Sequence, residues 1–548
     1  MENRALLAFI LSLLIFIGWG YFLSVVQPPP KERIKPPARE SQISGETAQP
    51  SASREPQAAL TAPAEAPGAA STMETAKPTP RFAGTEKKIK VTTGLATFIV
   101  SNQGATIEDI LLKKYPEKNG EATNLVHKVK GAKAPLTLEA SVPEVSEILR
   151  EAYYEASADS LDLSESNPSA KLTLRLKHES GLEAFREFTF HYNQYIVDVR
   201  TEVNAPAFAG QNVRYTSLWG PGLGGETDGS QMFIHTGPTV FVNNDRLEIK
   251  EDDVADVVRH QGDLEWVAFQ NKYFAAALVP GQGVKAGAVK KANGSLYVGM
   301  EFESVQSSAS ASFSLYAGTK ELLVLESMGH KLVRLIDYGW LGNKFAFLVK
   351  PLLRVLQYFY DKTANYGWSI IVLTFIIKLV FFPLTHKSFK SMKGMQKIQP
   401  YVKVIQERNK NDRQKMNEEL IELYKKHRVN PLGGCLPMLL QIPVFISLYH
   451  ALFFSIELRG APFLWWIKDL SSSDPYYITP ILMGATMFLQ QKMTPSVGDP
   501  VQQKIMLFLP VIFTFMFISF PAGLVIYWTV NNILTIAQQY YIYKLTRD

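Results

Sequence analysis

The feature that most constrains this chain is a single lysine inside an apolar segment. Residues 368–384 read WSIIVLTFIIKLVFFPL, which is apolar enough to cross a membrane, and Lys378 lies near the centre. At about 1.5 Å per helical residue, Lys378 is roughly 15 Å from Trp368 and about 13 Å from the next cation, Lys387. Its side chain is too short to reach either surface of a hydrocarbon core about 30 Å thick. The ammonium must therefore meet water or a polar partner.

Thr374 precedes Lys378 by four residues, so the two side chains form a polar stripe on one helical face. A structural lysine would need a carboxylate on another span. No apolar segment of this chain carries Asp or Glu at its centre. The sequence therefore favours a water-filled cavity around Lys378 over a buried ion pair.

The N-terminal region predicts an anchor followed by a tether. Residues 5–26 are 22 uncharged residues without an Ala-x-Ala-like cleavage site, which indicates a retained transmembrane anchor at 1–26. Residues 27–85 are rich in Pro, Ala, Ser and Glu, and 11 of the chain's 32 prolines lie between residues 27 and 82. This composition is typical of a disordered linker.

Residues 86–318 predict an antiparallel β-sandwich, because short alternating runs are separated by turn signals and no long helical pattern intervenes. The clearest runs are LATFIV (95–100), KLTLRL (171–176), FREFTF (185–190) and YIVDVRTEV (195–203). The segment GPGLGG (220–225) formally matches G-x-G-x-x-G. It lacks the strand–turn–helix context of a dinucleotide site, so we interpret it as a loop.

Residues 319–361 predict a helical connector. A helix is expected over 319–334, and an amphipathic helix follows it. The apolar face of that second helix comprises Phe345, Leu348, Leu352, Leu356 and Phe359. Its position directly before a span (367–386) favours a location at the membrane surface, and packing on the sandwich is the alternative.

The stretch 387–432 predicts a cytoplasmic helical hairpin. Apolar residues recur at helical spacing on both sides of a polar turn at 409–412, and Pro400 predicts a kink or a break in the first arm. Residues 387–428 carry 12 Lys and Arg against 5 Asp and Glu. We interpret this charge as a topology signal rather than an RNA-binding patch, which places the β domain outside and both termini in the cytoplasm.

Four further apolar segments at about 433–456, 476–492, 505–520 and 522–541 bring the expected number of spans to six. The span at 505–520 is only about 24 Å long as a helix, which predicts local thinning of the bilayer. A short cytoplasmic tail, 542–548, follows the last span.

Several kinds of chemistry have no support in the chain. There is one cysteine, Cys435, and no Walker A, HExxH or G-x-S-x-G motif. We therefore expect no cofactor, no metal site and no enzymatic activity.

The C-terminal half resembles the YidC-type membrane protein insertases of Gram-negative bacteria, whose relatives occur in mitochondria and chloroplasts. The matching stretches are DYGWL (337–341), VNPLGGCLPMLLQIPVF (429–445), ELRGAPF (457–463), DPYYITPILMG (474–484), DPVQQKIM (499–506) and FPAGLVIYW (520–528). The resemblance implies a multi-domain membrane protein with a periplasmic all-β supersandwich and an α-helical bundle of six spans. Five of those spans would form a core around a hydrophilic groove that opens to the cytoplasm and the lipid.

The resemblance also implies roles for individual residues. Lys378 stands where bacterial members usually have the groove arginine, so the charge is kept and the five-donor guanidinium is lost. Thr374 and Gln441 would add polar lining. Hydrophobic contacts to a passing helix would come from Phe445, Met483, Met516, Tyr527 and Trp528. For each of these apolar residues, plain helix packing is the alternative.

The implied function is that of a membrane protein insertase and chaperone in the bacterial inner membrane. Expected partners are nascent membrane proteins, the lipid bilayer, the ribosome and the secretion translocon, with no sequence-specific nucleic acid. The family's basic ribosome-binding tail is nearly missing, since only Lys544 and Arg547 follow the last span. Two other classes remain open: a secondary transporter or channel that uses Lys378, and a carbohydrate-binding outside domain.

Overall fold

The computed structural model describes residues 82, 84–117, 119–225, 235–338, 343–409, 411–427, 429, 436–493 and 500–545. The predicted anchor at 1–26, nearly all of the linker at 27–85 and the last residues of the tail lie outside these ranges.

The N-terminal part of the described chain is built mainly of strands. Strands β1 to β19 are Lys88–Thr92, Ala96–Ser101, Thr106–Leu112, Thr123–Asn124, Thr137–Ala140, Glu155–Ala156, Ser160–Asp162, Ser169–Lys177, Glu183–His191, Ile196–Asn204, Arg214–Trp219, Gly237–Val242, Asp245–Glu248, Val257–His260, Leu264–Gln270, Phe274–Pro280, Ala286–Ala292, Ser295–Glu303 and Ser308–Thr319. One helix, α1 (Pro143–Glu151), lies between β5 and β6 and buries Val145 and Leu149.

These strands form three sheets. A nine-stranded sheet has the order β13-β12-β15-β16-β19-β10-β9-β8-β6, and the two five-stranded sheets have the orders β4-β3-β2-β1-β7 and β14-β17-β18-β11-β5. The pairing of β1 with β7 is parallel, and the other pairings between the described strands are antiparallel. The prediction of a β-rich, mainly antiparallel domain is confirmed.

The alternating sequence runs predicted strands correctly because each of these strands buries one face. In β9 every second residue is buried, and Phe188 lies opposite Val199 of β10 in the core. Strand β16 is buried on both faces, so its run FAAALVP does not alternate. Residues 220–225 follow β11 as a loop, which confirms the interpretation of GPGLGG.

The C-terminal part of the described chain is helical. Helices α2 to α9 are Leu322–Met328, Ala346–Thr363, Tyr366–Arg408, Arg413–Lys426, Leu436–Phe454, Ile478–Met493, Pro500–Phe517 and Ala522–Leu545. The expected helix over 319–334 is shorter than predicted, because Thr319 still pairs with Phe274 in the sheet and Gly329, at φ 74°, ends α2. A 3₁₀ turn, Leu332–Leu335, follows it.

Helix α3 buries one residue of the predicted apolar face, Leu356, and one residue beside that face, Val349. Val349 packs with Ala451 of α6, and Leu356 packs with Ile370 of α4. The helix therefore packs on its helical neighbours rather than on the β domain. Its placement at the membrane surface stays a prediction.

Helix α4 is 43 residues long and joins the predicted second span to the first arm of the hairpin. It begins after Asn365, whose side chain caps it by accepting hydrogen bonds from the backbone N–H groups of Gly367 and Trp368. The helix continues through Pro400, so the prediction of a possible break at this proline is wrong. Ile398 and Val402 flank this proline and are buried against α5, and that packing offsets the roughly 3 kcal/mol that an interior proline costs.

Helix α4 is, within the described ranges, the one helix that is both long and apolar enough to cross a membrane by itself. Shorter apolar helices occur at Gln441–Phe454 and Met506–Phe517. Large apolar side chains are nevertheless exposed on α4, α7 and α8. They include Phe375, Leu379, Val380, Ile481, Leu482, Phe488, Phe508, Val511 and Phe515. A surface of this kind is unusual in water and matches a lipid environment.

Candidate functional site

Lys378 lies at the contact between α4 and α9. Its side chain is 8% exposed, and its Nζ donates a hydrogen bond to Thr535 Oγ1 at 2.6 Å. The Thr535 hydroxyl in turn donates to the carbonyl of Asn531. An ammonium has three donors. Within the described residues, Thr535 is the single acceptor for Lys378 and no carboxylate pairs with it.

Further buried polar side chains extend this contact along α4 and α9 and link α9 to α7. Gln538 Nε2 donates to Thr385 Oγ1 at 2.6 Å, which again joins α9 to α4. Asn532 Nδ2 donates to Thr486 Oγ1 of α7 at 3.3 Å. We refer to the buried set as the polar seam, and it comprises Thr374, Lys378, Thr385, Asn532, Thr535 and Gln538.

Sequence reasoning found Lys378 and Thr374 but missed the α9 side of the seam. Asn532, Thr535 and Gln538 follow at intervals of three within an apolar segment, so they share one helical face. Polar residues are rare inside spans, and this spacing was the signal that could have revealed them.

Two predicted polar lining residues take different positions. Thr374 is buried in the seam, and its hydroxyl donates to the carbonyl of Ile370 one turn earlier in α4. Gln441 is half-buried on α6. The structure does not join Gln441 to Lys378 by a hydrogen bond within the described residues, so its role as groove lining stays a prediction.

Four of the five predicted hydrophobic contacts lie in one cluster. Met483 and Tyr527 are buried there, and Phe445 and Trp528 pack at its margin with ring centroids 4.7 Å apart. Met516 differs, because it is 45% exposed on α8. In this conformation a passing helix can reach Met516 directly, whereas Met483 and Tyr527 are covered by neighbouring helices. Substrate contact by all five stays a prediction.

In the basic stretch, the end of α4 packs against α5. Met395, Ile398 and Val402 of α4 are buried against Leu420 and Leu423 of α5. An ion pair between Arg408 and Glu419 joins the two helices near their turn. The apolar spacing therefore forms the contact between the arms, and the hairpin has a small core of its own.

The described residues contain no group of three or more His, Cys, Asp or Glu side chains placed to hold a metal ion. What the seam offers chemically is one cation with a neutral partner, surrounded by hydroxyl and amide groups.

Comparison with known proteins covers almost the whole chain. A family model described as "60Kd inner membrane protein" matches residues 358–548, and one described as "YidC periplasmic domain" matches residues 88–355. The proteins named "Membrane protein insertase YidC" from Geobacter metallireducens and Syntrophus aciditrophicus are 40% and 38% identical to the chain. The matches cover 99% of this chain in both cases, and 98% and 100% of the relatives.

One solved structure with a similar chain is described as an active YidC insertase crystal structure with the first transmembrane domain resolved. It has 17% sequence identity and a TM-score of 0.35, and the match covers 84% of this chain and 93% of that chain.

Proposed function

Because this chain belongs to the YidC family of membrane protein insertases, we propose that it inserts inner-membrane proteins through the polar seam between α4 and α9. The observation that carries this proposal is the environment of Lys378. A cation that is 8% exposed, with one neutral acceptor among the described residues, has donors left for water or for an incoming carboxylate.

In the proposed mechanism, Lys378 attracts an acidic segment of the substrate into the seam. The low-dielectric surroundings strengthen this attraction relative to water. The driving force for the remaining step is the partitioning of the substrate's apolar helix into lipid. For acidic segments the membrane potential adds about 2.3 kcal/mol per charge per 100 mV. No nucleotide takes part.

The proposed topology has six spans, both termini in the cytoplasm and the β domain in the periplasm. The excess of basic over acidic residues in 387–428 supports this orientation. Helix α7 has 16 residues and would be about 24 Å long, which is shorter than a hydrocarbon core of about 30 Å. Local thinning around α7 and α8 would shorten the path of a polar segment across the bilayer.

The proposed partners follow from the exposed surfaces. The substrate's apolar helix would meet Met516 first, since this side chain is exposed on α8. The basic hairpin formed by the end of α4 and by α5 would receive the ribosome or the nascent chain. The secretion translocon remains a proposed partner that the family membership suggests.

Site-specific crosslinking to a nascent chain tests this proposal. A photoreactive residue replaces Asn532, which is buried in the seam, and the control replaces its neighbour Ile533, which is exposed. We expect the polar segment of a stalled substrate to crosslink at position 532 and not at 533. Crosslinks of that segment at 533 alone would contradict passage through the seam.

A further inference from the structure

A cavity of about 550 Å³ lies where the β domain meets the helical part. Its wall combines the loop after β3, the turn between α3 and α4, and the loop between α6 and α7. Four tyrosines contribute to it: Tyr115, Tyr273, Tyr360 and Tyr366. The rings of Tyr360 and Tyr366 are stacked with centroids 3.9 Å apart. The volume is in the range of small-molecule sites.

The cavity lies close to two exposed tryptophans. Trp368 follows the lining residue Tyr366 by two positions, and Trp465 precedes the lining residue Lys468 by three. Both indoles are exposed, Trp465 to 78%. Exposed tryptophans at the end of a span are typical of the headgroup region. With the proposed topology, the cavity is at the periplasmic leaflet.

Two of the charged groups on the wall are satisfied by each other. Arg459 Nη2 lies 2.9 Å from Glu117 Oε2, and both side chains are largely buried. A third, the Asp469 carboxylate, accepts hydrogen bonds from the backbone N–H and hydroxyl of Ser471 and from the hydroxyl of Ser472. These three groups hold the loop and the β domain in place.

Two charged groups on the wall remain, and they have opposite signs. Glu457 follows α6, and burial together with the nearby Glu321 raises the pKa of Glu457 to about 7. A carboxyl in this state gains from a cationic neighbour. Lys468 is exposed at the wall and forms no ion pair among the residues that the structure describes.

We propose that this cavity binds the headgroup of an aminophospholipid from the periplasmic leaflet. The ammonium group would lie against Glu457 and the tyrosine rings, because aromatic faces and carboxylates both attract cations. The phosphate would lie beside Lys468. A headgroup with a phosphate and no amine would bring no cation to Glu457, so the site discriminates by charge.

The test is lipid retention by the full chain. The protein is placed in nanodiscs of equimolar phosphatidylethanolamine and phosphatidylglycerol, released into the gas phase and weighed with its bound lipids. The variants are Glu457→Gln and Lys468→Ala. The matched control is Lys362→Ala, which removes an exposed cation at the end of α3 that does not line the cavity.

We expect one retained phosphatidylethanolamine in the wild type and in the control, and at least a fivefold loss in both cavity variants. If Glu457→Gln fails to fold, Lys468→Ala carries the test, because that side chain is exposed. Equal retention of the two lipids, a bound mass equal to phosphoethanolamine alone, or wild-type retention by Lys468→Ala would each overturn the assignment. Lipid retention is measured without any insertion assay. A negative result here is therefore distinguishable from a failure of the nascent chain to crosslink at position 532.

Discussion

Arg186 is buried in the β domain and Lys378 is buried in the helical region, and these two cations are held very differently. Arg186 of β9 is 0% exposed, and its Nη1 donates to the carbonyls of Ala105 and Leu136 at 2.8 and 2.7 Å. Its Nη2 lies 3.4 Å from the Ser217 hydroxyl. Lys378 has Thr535 alone among the described residues. Arg186 is therefore a structural cation, whereas the ammonium of Lys378 has one acceptor for its three donors among the described residues.

The regions around the two cations also differ in which side chains they bury and which they expose. The β domain buries its large aromatic residues, with Trp219 and Trp266 fully enclosed. The helical region exposes large apolar residues such as Phe508 and Phe515 and buries the polar seam. Both regions obey one rule, that apolar surface avoids water, but the helical region meets lipid on its outside. Its polar groups are consequently collected inside.

Removing the structural cation should produce the largest effect on stability. Arg186→Met leaves the carbonyls of Ala105 and Leu136 without their donor, and we expect a loss of about 3–5 kcal/mol in the free energy of unfolding of the β domain. Pulse proteolysis in urea on the full chain measures it. Lys378→Met is the matched variant, and its proteolysis midpoint should stay near that of the wild type. Equal midpoints for Arg186→Met and the wild type would remove the distinction between the cations.

A charged group at the boundary of the two regions should give an intermediate, pH-dependent effect. The pKa of Glu457 is raised from 4.5 to about 7 in the folded protein, so the native state binds more protons than the unfolded chain between these values. Stability should therefore fall as pH rises from about 4.5 to about 7. Charged and titratable groups that interact with Glu457 are Lys114, Tyr115, Glu321, Tyr338 and Tyr366, and further charged residues that line the same cavities are Glu117, Lys320, Arg459, Lys468 and Asp469.

Glu457→Gln removes this penalty. In lipid-free detergent we expect the variant to be more stable than the wild type by roughly 1–3 kcal/mol at pH 8 and equal to it at pH 4.5. The melting temperature at the two pH values measures the difference. A variant that is less stable at pH 8 would show that the Glu457 carboxylate is stabilised by its surroundings rather than strained.

The smallest effect should come from the partner of Lys378. Thr535→Val removes the hydroxyl and keeps the shape of the side chain. If water reaches the seam, it replaces the lost acceptor, and we expect a loss of less than about 1 kcal/mol in stability with insertion retained. Thermal unfolding and an insertion assay check both parts. A large loss of stability would indicate that Lys378, like Arg186, is locked into a dry interior.

Local patterns predicted the β domain well, because alternation over 185–190 reports burial within a single strand. They failed where tertiary contacts decide the outcome. Pro400 argued for a break in α4, but packing against α5 keeps the helix continuous. Likewise, 157 residues separate Lys378 from Thr535, and no local pattern shows that α4 and α9 are neighbours. For the same reason, the sequence could not decide whether Met483 and Tyr527 pack against neighbouring helices or face a substrate.

The most direct test of the role of Lys378 compares one substrate in two forms, with its translocated segment acidic or neutralised. Insertion is quantified for the wild type and for Lys378→Arg, Lys378→Ala and Lys378→Glu, alongside the amount of each protein in the membrane. We expect Lys378→Arg to be active, Lys378→Ala to be impaired and Lys378→Glu to be impaired most, with the losses concentrated in the acidic substrate. If Lys378→Ala inserts the acidic substrate as well as the wild type does, the proposed role of this cation is wrong.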